Sequence, residues 1–257
     1  MLAVISPAKT LDYKSSTPEH HVTDIRFPDE AATLVDRMRQ FGVPDIQSLM
    51  GVSEKIAEEN VERFSQWTWP YPSNAARAAI FAFKGDVYTG LDAYSLDQVE
   101  LDYVNQHVRI LSGLYGLLRP TDAILPYRLE MGKKVRTAAS NDLYSFWGNK
   151  IAAQLGDDLA KVESNTLVNL ASTEYFRSVA PYVKSLDVVT PVFKDWKNGQ
   201  YKVISFFAKK ARGSMVRYMA EHQLTKPEQL KAFDTDGYAF NAELSSNREW
   251  VFLRKQG

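Results

Sequence analysis

The chain has 257 residues, 45% of them hydrophobic, enough for one large core or two modest ones. Lysine plus arginine equal aspartate plus glutamate at 31 each, so the net charge is zero; this excludes a uniformly basic nucleic-acid coat but not a local basic cleft. The absence of cysteine excludes disulfides, iron–sulfur ligation, thiolate zinc and cysteine catalysis.

In chain order, Leu2–Ile5 reads as a buried strand, and Ser6–Pro28 as a polar, irregular segment. The start lacks the basic region and apolar core of a signal peptide, and no run reaches the ~18 apolar residues of a membrane helix. A cytoplasmic protein with no membrane partner is expected. From Asp29, Ala32, Leu34, Val35, Met38 and Phe41 recur at helical spacing until Gly42. Pro44 opens a short helix to Met50, Gly51-Val52-Ser53 breaks it, and Ser53 is placed to cap a third helix bearing Ile56, Ala57, Val61 and Phe64. Trp67–Ser73 is an aromatic, proline-rich linker, and Ser73 is placed to cap an alanine-rich helix.

FKGDVYTGLDAY reads as strand and turn. Ser95–Gln98 matches a capping box that opens a helix through His107. Val108–Ser112 is a strand that feeds the most informative stretch, Ile110–Lys134. There Gly113 and Gly116 allow turns or close approach, Pro120 and Pro126 stiffen the chain, and Arg119, Asp122, Arg128, Glu130, Lys133 and Lys134 supply charge. Long loops with their own chemistry are more often functional than short ones. Asn141–Val162 reads as one largely helical segment and Thr166–Leu170 as a strand followed by a cap at Ser172 or Thr173. Val188–Trp196 and Gln200–Phe207 flank Asn198-Gly199, the strongest hairpin signal in the chain. Lys209–Gln223 reads as helix, and Gly237–Asn241 and Glu249–Arg254 as closing strands. No repeat or regular βαβ period is present. The expected fold is α+β (mixed α/β): one compact domain over 1–257, with a mixed sheet and surrounding helices.

Two segments point to phosphate. Leu49–Ala57 resembles the turn of a helix-hairpin-helix element, whose backbone N–H groups face an anion at a helix start without reading bases. Gly51, Ser53 and Lys55 are its candidate contacts, although Ser53 stands where a second glycine is usual. The alternative is an ordinary helical hairpin packed on the core. Lys209, Lys210, Arg212 and Arg217 cluster on a turn and helix, with Gly213 placed for close approach of a phosphate backbone; a solvated helix face is the competing reading. Glu130, set among Arg128, Lys133 and Lys134, is either a salt-bridge hub or a general base, and Glu174 and Asp195 are candidates to join it. Ser6-Pro7-Ala8-Lys9 matches Ser-x-x-Lys, but Lys9 reads better as a cation just past a strand end. The four histidines form no metal-ligating spacing, and no metal or cofactor is expected.

SPAKTLDY, FKGDVYTGLDAY, ILSGLYGLLRPTDAILPYRLEMG, NLASTEYF, FKDWKNGQYKVISFFAKKARGSMVRY and GYAFN occur in that order across nearly the whole chain. Together they closely resemble the YaaA family of bacterial peroxide-stress resistance proteins. The resemblance implies a cytosolic protein of the hydrogen peroxide response, tied to limiting iron-mediated damage and to DNA repair. It also implies DNA binding, a family-specific fold with a basic cleft, and a helix-hairpin-helix element falling on 44–64. The expected partner is double-stranded or branched DNA, held by Lys9, Gly51, Ser53, Lys55, Arg128, Lys133, Lys134, Lys209, Lys210 and Arg212. The alternative is an enzyme that uses Glu130 in the same cleft on a nucleotide, nucleobase or phosphorylated small molecule.

Overall fold

The computed structural model describes residues 1–72 and 74–255, so the expected Ser73 cap lies outside the described residues. Its central sheet contains Leu2–Ile5 (β1), Val108–Ser112 (β2), Gly116–Leu118 (β3), Thr166–Leu170 (β4), Asp187–Lys197 (β5), Gln200–Lys202 (β6), Ala239–Asn241 (β7) and Glu249–Arg254 (β8). The order is β7-β8-β5-β4-β1-β2-β3, with β6 paired to β5. β8, β5, β4, β1 and β2 run parallel, and β7, β3 and β6 pair antiparallel at the margins. β1 is an interior strand, with Ala3 opposite Val108 on one side and Val168 on the other. Buried strands of a parallel sheet need apolar residues on both faces, which is why LAVI reads as an unbroken hydrophobic run.

Chain direction around β1 sets up the site. β1 leads to β2 on one side, whereas β4, on its other side, leads away to β5. Connections therefore diverge between β1 and β4. In open α/β sheets, a crevice forms outside the carboxyl ends of strands at such a switch point.

Several sequence expectations are corrected. DVYTGL forms a helix, Asp86–Leu91, rather than a turn, because it packs along the helix Ser205–Glu221. The segment Gln200–Phe207 is strand only to Lys202, and Ser205 already opens the helix. Asp97, not Ser95, caps the helix Gln98–His107: it accepts from Glu100 N at 2.8 Å, and Glu100 returns the bond to Asp97 N at 2.9 Å. The segment Asn141–Val162 divides into Leu143–Trp147 and Lys150–Lys161 at Gly148, whose φ of +49° ends the first helix. Gly116–Leu118, read as loop, is a strand folded back on β2. The Asn198-Gly199 hairpin forms as expected, with φ of +55° and +79° at its two turn residues.

One apolar core runs from Met1 to Phe252 and includes Trp147, Tyr115 and Phe64. The helices Val43–Met50 and Glu54–Gln66 pack on its edge through Ile46, Met50, Ala57 and Phe64. No helix is long and apolar enough to cross a membrane among the described residues.

Candidate functional site at the β1–β4 switch point

A crevice of about 400 Å³ opens beyond the carboxyl ends of β1 and β4. Its floor is a serine junction: Ser172 N donates to Ser6 Oγ at 2.9 Å, and the two hydroxyls lie 3.3 Å apart. The Tyr88 hydroxyl donates to Ser6 O at 3.2 Å and ties the helix Asp86–Leu91 to the same point. Gly85, just before that helix, leaves a Cβ only 3.3 Å from Ala8, so the two loops meet closely.

The loop expected from sequence to carry function supplies the far wall. A Cβ on Gly113 would lie 2.3 Å from Leu129 O. Only a bare glycine after β2 lets the returning loop cross there and deliver Glu130 into the crevice. Glu130 is 4% exposed. Its Oε1 meets Lys9 Nζ at 3.2 Å and Arg128 Nη2 at 3.3 Å. Its Oε2 and Arg128 Nε are sealed from water with no hydrogen-bond partner among the described residues. Glu174 closes the loop from the other side, accepting from Gly132 N at 2.9 Å.

The helix Ser205–Glu221 supplies Lys209 and Arg212. Arg212 is half-buried, and burial lowers its pKa from the ordinary arginine value. Neither Lys209 nor Arg212 has a carboxylate within ion-pair distance among the described residues. Lys84 also lines the crevice and lies 3.7 Å from Asp12 Oδ2. Asp12 is held well below the usual carboxylate range, first by the backbone N–H of Ser15 and then by that of Lys14. Four cations, Lys9, Lys84, Lys209 and Arg212, thus face three acids, Asp86, Glu130 and Glu174. Burial raises the Tyr88 and Tyr175 hydroxyls well above their ordinary pKa, so both rings line the site as neutral groups.

The fold brings together Lys9, Arg128, Glu130, Glu174, Lys209 and Arg212. Other candidates fall elsewhere. Gly51 and Ser53 sit exposed on the turn between Val43–Met50 and Glu54–Gln66, and Lys55 is exposed in the first turn of the second helix. Gly51 is left-handed at φ +66°, and Ser53 stands at the cap position but makes no side-chain cap bond. Lys133 donates to Met50 O at 3.1 Å, which ties the informative loop to that turn instead of leaving its ammonium free. Lys134 is exposed away from the crevice lining. Lys210 pairs with Asp236 at 3.2 Å, and Arg217 with Glu221 at 2.6 Å. Gly213 faces Val87, not a phosphate path. Asp195 does not join Glu130: it is buried 2.6 Å from Arg254 Nε and 3.0 Å from the Tyr238 hydroxyl.

Sequence reading missed the Ser6–Ser172 junction and the contributions of Lys84 and Tyr88. The only signal for the junction was a serine within two residues of the end of each of two buried strands, Ser6 after Ile5 and Ser172 after Leu170. No group of three or more potential metal ligands occurs among the described residues.

A family model described as Peroxide stress protein YaaA matches residues 1–244. The chain is 51% identical over 256 residues to a UPF0246 protein of Teredinibacter turnerae, covering 100% of both chains. It is 50% identical over 256 residues to a UPF0246 protein of Saccharophagus degradans, again over 100% of both. A UPF0246 protein of Idiomarina loihiensis is 52% identical over 256 residues, covering 100% of this chain and 99% of the other.

Proposed function

Since this chain belongs to the peroxide stress protein YaaA family, we propose that it serves the hydrogen peroxide response by binding DNA through phosphate contacts at the β1–β4 crevice, limiting oxidative and iron-mediated DNA damage. The observation that carries this reading is the pair Lys209 and Arg212, which open on the crevice without an acid partner among the described residues. A half-buried guanidinium without a counter-charge is an unfavourable arrangement unless an anion completes it. Arginine forks match phosphate oxygens two at a time. Contacts of this kind position nucleic acid without reading sequence.

The test is a titration of labelled duplex and branched DNA at several salt concentrations. Log affinity is expected to fall with log salt by roughly 0.9 per phosphate contact on a duplex. Lys209→Ala plus Arg212→Ala should weaken binding at least tenfold. Affinity independent of salt, or unchanged in the double variant, would remove the proposal.

A second reading, an enzyme acting on a nucleotide, nucleobase or phosphorylated small molecule, is favoured by the buried, half-satisfied Glu130 beside Lys9. A buried carboxylate beside a lysine, with one oxygen unmet, has the geometry of a general acid–base pair. Peroxide survival unaffected by Glu130→Gln would count against it.

A further inference from the structure

We propose that the crevice holds one nucleotide unit, its base directed inward with an N–H donor on the Glu130 carboxylate and its phosphate outward on Arg212. This rests on the DNA-binding reading above and narrows it, because a base inside the crevice has left its stack.

Three observations carry it. The crevice, at about 400 Å³, is of the size that takes small molecules and is far too small for a duplex. Its inner end carries an acceptor without a donor: Glu130 is 4% exposed, and Lys9 and Arg128 both engage Oε1 while Oε2 has no partner among the described residues. Oε2 itself is sealed, and the soft, nearly two-fold terminal carboxylate torsion is the motion by which it would turn toward a ligand in the crevice. An N–H group on a ligand completes a buried acceptor that the protein leaves unmet. Between the two poles, Pro7, Ala8, Val87 and the rings of Tyr88 and Tyr175 give an apolar, aromatic lining suited to a flat base.

Arg212 fixes the polarity. It also walls a second cavity of about 510 Å³, on the far side of β4, that contains Asn169 and Thr190. A phosphate at Arg212 therefore sits where two cavities adjoin, from which a strand can continue, whereas Glu130 is buried. An extruded or single-stranded nucleotide fits this arrangement, and a paired one does not.

The experiment is calorimetry on the full chain with adenosine 5′-monophosphate, purine riboside 5′-monophosphate (which lacks only the 6-amino donor) and inorganic phosphate. The amino-bearing nucleotide should bind at least tenfold tighter than the other two. Glu130→Met should reduce it to the level of the purine riboside compound, and Arg212→Gln should weaken both nucleotides. Equal affinity for the two nucleotides in the wild-type protein overturns the inference, and that comparison needs no variant to fold. Failure of all three ligands, with salt-sensitive DNA binding intact, also overturns it and leaves the DNA reading standing. Loss of DNA binding as well removes both.

Discussion

Gly213 and Val87 are in backbone contact: a Cβ built on Gly213 would stand 1.7 Å from the Val87 carbonyl oxygen. Gly90 makes the reciprocal approach, its Cβ position 2.1 Å from Lys210 O. Two glycines thus let the helices Asp86–Leu91 and Ser205–Glu221 touch backbone to backbone, which sets the crevice walls bearing Tyr88 and Arg212. Gly213→Ala must push these helices apart. Overpacking of this kind costs about 1–3 kcal/mol and more where backbone is struck. At roughly 2–4 °C per kcal/mol for a chain of this size, the thermal midpoint should fall by several degrees. DNA affinity should fall with it as Arg212 shifts. An unchanged midpoint would show that the contact is not rigid.

Asp158 accepts from both Arg26 and Arg109, the latter at 2.7 Å, in a site where the carboxylate is 1% exposed. Burial alone would raise its pKa, but hydrogen bonds and charge from Arg26 and Arg109 more than reverse this and hold it below its ordinary value. Asp158→Asn leaves two guanidiniums without their anion and should cost about 3–5 kcal/mol by denaturant unfolding. The folded pKa is depressed, so the stabilisation is present above the unfolded carboxylate value of about 3.9 and is lost as pH falls through the folded value. The variant should lose that acid-limb dependence.

His107 gives a second, separate pH window. Its Nδ1–H donates to Met1 O at 2.9 Å, its ring stacks on Tyr103 at 4.4 Å, and burial lowers its pKa. Below the unfolded value of about 6.5, the unfolded chain binds the proton more readily, so stability should decline as pH falls from 6.5 toward the lower folded value. His107→Gln should flatten the curve between pH 7 and pH 5. An identical slope in the variant would exclude this residue as the source.

Lys133 and Lys210 separate structural from binding cations. Lys133→Ala frees the Met50 carbonyl and should cost about 0.5–1.5 kcal/mol, read as faster amide exchange in Val43–Met50. Lys210→Ala removes an exposed pair with Asp236, worth about 0–1 kcal/mol, and should leave DNA affinity within about twofold. A Lys210 effect as large as that of Lys209 would extend the binding face beyond the crevice.

Legibility in the sequence followed the range of the forces involved. Leu2–Ile5 was readable because a strand buried on both faces is a continuous apolar run, and Val108–Ser112 and Thr166–Leu170 because each keeps most of such a run around Arg109 or Asn169. Asn198-Gly199 was readable because its turn demands positive φ at both residues. DVYTGL was not, since β-branched and aromatic residues with a glycine are poor helix formers alone. Its helix exists because Gly90 can press against the helix from Ser205.

The same division runs through the site. Sequence by itself determined that Lys9 follows a strand, that Gly113 permits a close approach, that Glu130 sits among cations, and that Lys209 and Arg212 share one basic segment. It also determined family membership, through ordered strings spanning the chain. Only the tertiary structure decided which cations stay free. Lys133, Lys210 and Arg217 are taken up by Met50, Asp236 and Glu221, whereas Lys209 and Arg212 open on the crevice. Charge type is written in the residue, but a counter-charge is supplied across space, by a sheet whose connections diverge at β1 and β4 and by a loop that crosses Gly113.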